Sequence, residues 1–217
     1  MANKTNSAQT SSNTRMTHAE RTDLSDTKMF EAAVSLIVER GLDKTTLKDV
    51  GELAGYSRSL AGYRFGTKGN LFNFVIKRVG EEWSKELLSV TEGKTGYPAI
   101  AQSIDTHYDF LVNAPLTRRA FYLLWFDATD ISSEVRESMI KIHQRRQSDV
   151  EQWINDDIAN GNISGDVNAE AVAKLFLASS IGILYHWLLE PEALGTVKQL
   201  HEDLKLSVHK LLFNSAA

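Results

Sequence analysis

The sequence predicts an all-α fold, with an N-terminal three-helix unit followed by a larger helical body. Apolar residues recur every three or four positions along most of the chain, which is the period of an α-helix. No segment shows the strict alternation of a half-buried β-strand. The 217 residues include only three prolines, so long uninterrupted helices are permitted. A chain of this length can also bury a substantial hydrophobic core.

The first 22 residues are expected to form a disordered tail. Residues 1–22 are rich in Ser, Thr and Asn and show no apolar periodicity, so they cannot bury enough surface to fold. They also lack the apolar segment of a secretory signal. An inert solvated tail is the favoured interpretation. The alternative is a basic arm that reaches DNA through Lys4, Arg15 and Arg21.

Two short helices around one tight turn are predicted between Thr46 and Phe65. Thr46 precedes an apolar-periodic segment and Asp49 lies three residues further on, which is a helix-start pattern. Gly55 ends this helix, because glycine takes a left-handed C-cap conformation without steric cost. Ser57 is placed to cap the second helix. The pattern is typical of a helix-turn-helix, whose second helix lies in the DNA major groove, so it predicts DNA binding.

The side chains of this segment divide into a core set and a DNA-contacting set. The predicted core consists of Leu47, Val50, Ala54 and Phe65. The candidate DNA contacts are Thr46, Lys48, Arg58, Ser59, Leu60, Gly62, Tyr63, Arg64 and Lys68. Arg58 and Arg64 are the best candidates for base readout or phosphate clamping, because the guanidinium fork fits guanine edges and phosphate oxygens. Ser59 and Tyr63 can donate hydrogen bonds to phosphates, and Leu60 can contact a thymine methyl group.

The segment LKDVGELAGYSRSLAGYRFGTKGNLF resembles the N-terminal DNA-binding domain of TetR-family transcriptional regulators. The resemblance covers about residues 27–79, including the preceding helix FEAAVSLIVERG, and it implies that Lys68 contacts a phosphate. The sequence departs from the common family pattern at Gly51, Ser59 and Gly62. Gly62 stands where many members carry an aromatic residue that contacts the DNA backbone, so Tyr63 becomes the more important aromatic.

The net charge of −4 does not argue against DNA binding, because association depends on where the cations lie. Basic residues cluster around the proposed recognition helix, whereas the acidic excess lies mostly after Val79. The expected domain boundaries are a tail over residues 1–22, a DNA-binding domain over 23–72 and an effector-binding and dimerisation domain over 73–217.

The body is predicted to consist of six further helices. The first shows apolar residues at four-residue spacing, and later ones are separated by a loop over residues 93–98 and by Pro115. The predicted helices run from Thr67 to Thr91, Ala99 to Asn113, Thr117 to Ala128, Ser132 to Asn160, Ala169 to Glu190 and Val197 to Phe213. The fourth of these carries a stripe formed by Val135, Met139, Ile142, Arg146, Val150 and Trp153.

The helix over residues 169–190 is apolar on most sides, and its length approaches that of a membrane span. Lys174 and His186 argue against a membrane, because charge inside a span is costly. Such a helix must instead be buried by protein, with one face inside the chain and the other against a second subunit. The resemblance places a homodimer interface on this helix and on the helix over 197–213. A two-fold dimer fits a pseudo-palindromic operator in double-stranded DNA.

The resemblance also implies a small-molecule effector pocket among the central helices. Its candidate lining is His107, Tyr108, Phe121, Tyr122, Trp125, Phe126, His143 and Trp153, although most of these side chains can equally be ordinary core. The sequence does not identify the effector, but an aromatic lining with little charge favours an apolar or planar compound. Occupancy of the pocket is expected to release a repressor from its operator, with a typical coupling of ~1–3 kcal/mol.

No catalytic constellation was recognised in the sequence. It contains no His-Glu-x-x-His, Gly-x-Ser-x-Gly or Walker A pattern, and the absence of cysteine excludes thiolate sites. We therefore expect no enzyme activity, no metal site and no cofactor. A cytoplasmic location follows from the family resemblance and from the lack of an export signal. The alternative function is a helical dimer that uses the helix-turn-helix to bind protein rather than DNA.

Overall fold

The computed structural model describes residues 16–213, and every regular element in that range is an α-helix, which confirms the all-α prediction. The helices in chain order are His18–Arg40 (α1), Leu47–Leu53 (α2), Arg58–Phe65 (α3), Lys68–Thr91 (α4), Gly96–Asn113 (α5), Pro115–Asp127 (α6), Arg136–Ala159 (α7), Ala169–Leu189 (α8) and Leu194–Phe213 (α9). Residues 1–15 lie outside the described range, so the basic-arm hypothesis for Lys4 and Arg15 stays a prediction.

The first helix begins earlier than composition predicted. α1 starts at His18, so the expectation of a disordered tail is wrong for residues 18–22. The Thr17 hydroxyl accepts a hydrogen bond from the Glu20 backbone N–H at 3.2 Å, and the Glu20 carboxylate accepts one from the Thr17 N–H at 2.7 Å. This reciprocal capping box satisfies two N–H groups that the helix itself leaves free. The sequence signal was present in Thr17 and Glu20, but the polar composition around it concealed it.

Helices α2 and α3 form the predicted helix-turn-helix, joined through residues 54–57. The Thr46 hydroxyl accepts a hydrogen bond from the backbone N–H of Asp49 at 3.1 Å and donates one to its carboxylate at 2.8 Å. Gly55 adopts a φ of +79°, in the left-handed region that its predicted role requires. The turn therefore forms for the reasons that the sequence indicated.

Close approach of α2 to α3 depends on Gly51. A Cβ atom there would lie 3.0 Å from the Ser57 carbonyl oxygen and 3.5 Å from the Ala61 Cβ, so glycine brings the two helices together. Ser57 is the N-cap residue of α3, but its hydroxyl makes no capping hydrogen bond. It lies 3.3 Å from the Ser59 hydroxyl instead, which differs from the predicted side-chain cap.

Four helix starts in the body differ from prediction, including that of α9, which begins at Leu194 rather than at Val197. α5 begins at Gly96, so Pro98 lies in its first turn, where a proline costs little because the N–H groups there have no helical partner. Pro115 does not merely interrupt a helix, since it opens α6 one residue after α5 ends. α7 begins at Arg136 rather than at Ser132, and the intervening residues form turns.

One hydrophobic core extends from the DNA-binding head into the body. α1 packs against α2, α4 and α6, while α4 also contacts α3, α5, α6 and α7. The remaining body is closed by the packing of α7 on α8, α8 on α9 and α5 on α9. The predicted boundary after residue 72 falls inside α4, so the head and the body share this helix. The division of the chain into domains stays a prediction.

Candidate DNA interface and effector pocket

One face of α3 points away from the core and carries side chains suited to DNA. Arg58, Ser59 and Tyr63 are exposed, Tyr63 to 91%, and the half-buried Gly62 lies beside them. The Arg58 side chain is 69% exposed, and its Nε donates to the Glu52 carboxylate. An exposed ion pair contributes about 1 kcal/mol or less, so this guanidinium can exchange its partner for a phosphate or a guanine edge.

Arg64 makes contacts within the protein that the sequence did not predict. Its Nη1 donates to the Asp26 carboxylate, to the Ser25 hydroxyl at 2.8 Å and to the Thr22 carbonyl oxygen at 3.4 Å. Its side chain is only 24% exposed. These bonds hold α3 against α1 and favour a structural role for Arg64, and its contact with DNA stays a prediction. The sequence concealed this role because the partners lie about forty residues away, in the segment expected to be polar and irregular.

The other predicted DNA contacts are distributed more widely. Thr46 and Lys48 are exposed at the start of α2. Lys68 is half-buried, and its Nζ donates to the Asp43 carbonyl oxygen at 3.2 Å, so it also anchors the start of α4. Leu60 is partly buried because its side chain packs against the core. This position differs from the exposed one expected for contact with a thymine methyl group. DNA contact by Thr46, Lys48 and Lys68 stays a prediction.

An apolar pocket lies in the body between α4, α5, α6, α7, α8 and α9. Its enclosed space is about 50 Å³, and about 630 Å³ is reached only when the open solvent at its mouth is included. Its largest apolar walls are Trp83, Trp125, Trp153, Phe176 and Leu184. Its ionisable lining residues are His107, Arg146, Asp149 and His201. A second cleft between α4 and α7 adjoins it and shares Trp83, Arg146 and Trp153.

Part of the predicted pocket set does line this space. His107, Trp125 and Trp153 face the pocket, and Phe121 lines the adjoining cleft. Their helices were predicted from apolar spacing, but the sequence could not show which aromatic side chains turn towards a shared cavity.

The other four predicted residues lie behind or beside the pocket lining. Tyr122 is buried behind His107, and the Tyr108 ring packs on the ring of His201 with centroids 5.6 Å apart. The His143 ring lies 6.2 Å from Trp125, and Phe126 is half-buried outside the lining. For Tyr108, Tyr122, Phe126 and His143 the structure therefore favours packing roles, the alternative that the sequence left open.

Sequence reasoning missed seven lining residues with polar or aromatic side chains: Trp83, Ser103, Arg146, Asp149, Phe176, Ser180 and His201. Trp83 and Arg146 were assigned to apolar helix stripes, and Arg146 was the one charged member of its stripe. A charged residue within an apolar stripe was the feature of the sequence that could have indicated a functional side chain on α7. Asp149 and His201 gave no comparable signal, because each lies where a solvated helix face was equally reasonable.

Three buried side chains form a hydrogen-bonded chain beside the pocket. The Nδ1 of His201 lies 2.7 Å from the Val197 carbonyl oxygen, so it must donate, and its Nε2 is left to accept. The Nδ1 of His107 then donates to that Nε2 at 2.9 Å, and the Tyr122 hydroxyl donates to the Nε2 of His107 at 3.2 Å. Both histidines are neutral in this arrangement. Burial, His201 and the Arg146 charge hold the pKa of His107 well below its usual range, and burial lowers the pKa of His201.

Acidification is expected to destabilise the fold through these two histidines. Their folded-state pKa values lie below the ordinary value of about 6.5, so the unfolded chain binds more protons under mildly acidic conditions. The free energy of unfolding should hold above pH 7 and fall as the pH drops below about 6.5. Its slope should reach at most about 1.4 kcal/mol per pH unit for each histidine. Urea unfolding at pH values between 7.5 and 5 measures this slope.

The matched variants separate the buried pair from other titrating groups. His107→Gln should reduce the slope, whereas His209→Gln, at an exposed position on α9, should leave it unchanged. An unchanged free energy of unfolding between pH 7.5 and 5 in the parent protein would contradict this account.

The outer face of α8 presents a continuous apolar stripe. Its members recur at three- and four-residue intervals and are exposed: Ala171, Leu175, Ala178, Gly182, Tyr185 and Leu189. The opposite face is buried against α7 and α9. On α9, Leu206 and Phe213 are also exposed. A stripe of this extent is typical of a surface that another protein covers.

Among the described residues, α8 is the helix that is long and apolar enough to cross a membrane by length and composition. Core helices of globular proteins meet the same criterion. α8 packs its inner face on its neighbours, and Lys174 pairs with Glu170 at 2.6 Å near its start. These contacts do not favour a membrane span.

A helix-turn-helix with an exposed recognition face, joined to a helical body with an apolar pocket, defines the class of helix-turn-helix transcriptional regulators. A family model described as "Bacterial regulatory proteins, tetR family" matches residues 30–75. The chain is 28% identical over 185 residues to the HTH-type transcriptional regulator TtgR of Pseudomonas putida, covering 79% of this chain and 85% of TtgR. These matches support a TetR-family transcriptional regulator.

Solved structures show the same fold. The repressor NalD of the Pseudomonas aeruginosa efflux pump MexAB-OprM superposes with a TM-score of 0.70 at 20% identity, over 89% of this chain and 100% of NalD. The complex of SmeT, from Stenotrophomonas maltophilia, with triclosan gives a TM-score of 0.69 at 19% identity, over 84% and 90% of the two chains. The family model and TtgR, an HTH-type transcriptional regulator, support a DNA-binding regulator rather than an enzyme, and the protein-interaction alternative is not favoured.

Proposed function

We propose that this regulator is a homodimeric repressor that leaves a pseudo-palindromic operator when a small molecule fills the apolar pocket. The observation that carries the DNA part is the exposed face of α3, where Arg58, Ser59 and Tyr63 lie on a helix supported from behind by the core. An exposed arginine and hydroxyl groups are the donors that phosphates and base edges accept. Thr46, Lys48 and Lys68 are proposed to add backbone contacts around this face.

The apolar stripe of α8 supports dimerisation through α8 and α9. A second copy is the occupant that fits best, because a two-fold dimer presents two recognition helices to one duplex. Half-sites about 34–36 Å apart, one turn of DNA, are what such a dimer reads. Burial of Leu175, Tyr185 and Leu189 in the dimer would also remove the largest exposed apolar side chains of α8 from water.

The pocket supports control by an effector. SmeT has been solved with triclosan, a small aromatic compound, and NalD is described as a repressor of an efflux pump. The pocket of this chain has an apolar lining suited to an organic ligand, and α4 connects it to the DNA-binding head. A ligand that binds one dimer conformation better than the other shifts DNA affinity by that difference. A cytoplasmic location is part of the proposal, because a regulator of this kind acts on DNA.

Fluorescence anisotropy tests the proposal with the intergenic DNA beside the protein's own gene and a scrambled fragment of equal length. The intergenic fragment should bind more tightly, and its affinity should fall as salt rises because phosphate contacts release counterions. Arg58→Ala and Tyr63→Ala should each weaken specific binding about tenfold, within the range expected for one base or phosphate contact.

Lys141→Ala is the matched control, since Lys141 is an exposed cation on α7 that pairs with Glu137. It should leave DNA affinity unchanged. Equal affinity of the Arg58 variant and the parent protein for the intergenic fragment would contradict the proposed recognition face.

A further inference from the structure

Arg146 is the pocket cation, and no carboxylate of the residues that the structure describes forms an ion pair with it. It extends from α7, and its guanidinium carbon lies 5.2 Å from the ring centroid of Trp83 and 5.1 Å from that of Trp125. Its Nε is buried and has no hydrogen-bond partner among residues 16–213. The hydroxyl of Tyr122 is its neighbour, and burial raises the pKa of that phenol, so Tyr122 stays neutral and does not balance the charge.

Arg118, in the same body, shows what a structurally satisfied arginine looks like in this protein. Its guanidinium also lies over an aromatic ring, that of Phe110. Unlike Arg146, it donates to the Phe110 carbonyl oxygen at 3.1 Å and pairs with the Glu82 carboxylate at 2.8 Å. Arg146 has the aromatic contact without the anionic partner, and a buried donor left in that state is costly.

The other ionisable lining residues do not supply the missing negative charge. Asp149 is the one carboxylate of the described pocket lining, and its oxygen pairs with the exposed Arg145 at 3.9 Å. Burial raises the pKa of Asp149 from its ordinary value. His107 and His201 are neutral in their hydrogen-bonded chain. In the described lining, Arg146 is therefore a cation that forms no ion pair with a carboxylate.

We propose that the effector is an organic anion, with a carboxylate that binds Arg146 and a planar apolar body that lies along the tryptophan walls. The proposal rests on the proposed function, because it names the ligand class of the same pocket. The guanidinium presents two parallel N–H donors to a carboxylate, and the indoles that flank it exclude water from the pair. The apolar body then covers Trp153, Phe176 and Leu184.

Isothermal titration calorimetry with 2-naphthoate and 2-naphthamide tests the charge requirement directly. The two compounds have nearly the same shape, and only the first is an anion at pH 7.5. The parent protein should bind the carboxylate at least about tenfold more tightly, because charge-assisted hydrogen bonds are the stronger kind. Binding of the amide with equal or higher affinity, or no binding of the carboxylate at millimolar concentration, would overturn the proposal.

Variants then assign the preference to one side chain. Arg146→Gln should reduce the carboxylate preference to about onefold while amide binding is kept, and Arg146→Lys should restore part of it. Lys141→Gln removes the same charge one turn away on α7, at an exposed position, and should keep the full preference. A full preference in Arg146→Gln would overturn the assignment. The comparison of the two ligands on the parent protein needs no variant, so it stands even if Arg146→Gln does not fold.

The outcome separates this inference from the proposed function. Carboxylate preference is read from ligand binding alone, whereas operator binding is read from anisotropy. A protein that prefers the carboxylate but does not bind the intergenic DNA would contradict the proposed repressor and support the inference. A protein that binds the operator but prefers the amide would support the proposed repressor and contradict the inference.

Discussion

Replacing Arg64 by alanine is expected to lower the free energy of unfolding by about 2 kcal/mol, because it leaves the half-buried Asp26 carboxylate and the buried Ser25 hydroxyl without their partner. The value lies below that for a fully buried pair, since the Arg64 side chain is 24% exposed. Urea unfolding followed by circular dichroism measures it. DNA affinity should then fall only as far as α3 loses its position against α1.

Arg58→Ala is the matched control, because it removes an arginine from the same helix. Its ion pair with Glu52 is exposed, so the free energy of unfolding should change by less than about 0.5 kcal/mol. Arg64→Ala should therefore lose mainly stability, whereas Arg58→Ala should lose mainly DNA affinity. An Arg64→Ala protein as stable as the parent but unable to bind the operator would restore Arg64 to the DNA interface.

Replacing Gly96 by alanine is expected to destabilise the protein by about 3 kcal/mol, through backbone strain and overpacking together. Gly96 has a φ of +53°, and a Cβ there would lie 1.7 Å from the Asp157 Oδ2 and 2.8 Å from its Cβ. Asp157 cannot move aside cheaply, because its other carboxylate oxygen accepts hydrogen bonds from Thr95 at 2.7 Å and Asn162 at 3.2 Å. Thermal and urea unfolding measure the loss.

Gly93→Ala isolates the strain contribution. Gly93 also has a positive φ, of +71°, but a Cβ there would meet no atom within 4 Å. It should therefore cost only about 1 kcal/mol. Equal losses in the two glycine variants would show that contact with Asp157 contributes nothing, against the packing seen at the start of α5.

The fold was largely predictable from the sequence because its signals are local. Thr46, Gly55 and the three-to-four-residue apolar spacing each determine nearby backbone geometry, and the structure confirms the all-α prediction that they support. The start of α1 was missed for a different reason. Its capping box was a local signal too. The prediction nevertheless followed the polar composition of the preceding segment and not these few capping residues.

The candidate sites were less predictable because they depend on contacts between distant residues. Arg58 and Arg64 look alike in sequence, and only the position of Asp26 on α1 separates the exposed arginine from the structural one. The pocket shows the same difficulty. His107 and His201 are far apart in the chain yet 2.9 Å apart between ring nitrogens, and no spacing rule predicts such a pair.

The length of α4 determines how small a movement at the pocket can shift the recognition helix. Its 24 residues span about 36 Å at about 1.5 Å per residue, with Leu71 in the head and Trp83 at the pocket. It therefore works as a rigid lever arm. A tilt of about 5° at one end moves the other by about 3 Å, close to the ~3.4 Å rise between stacked base pairs. A displacement that barely disturbs the packing around a ligand is enough to carry a recognition helix out of step with its half-site.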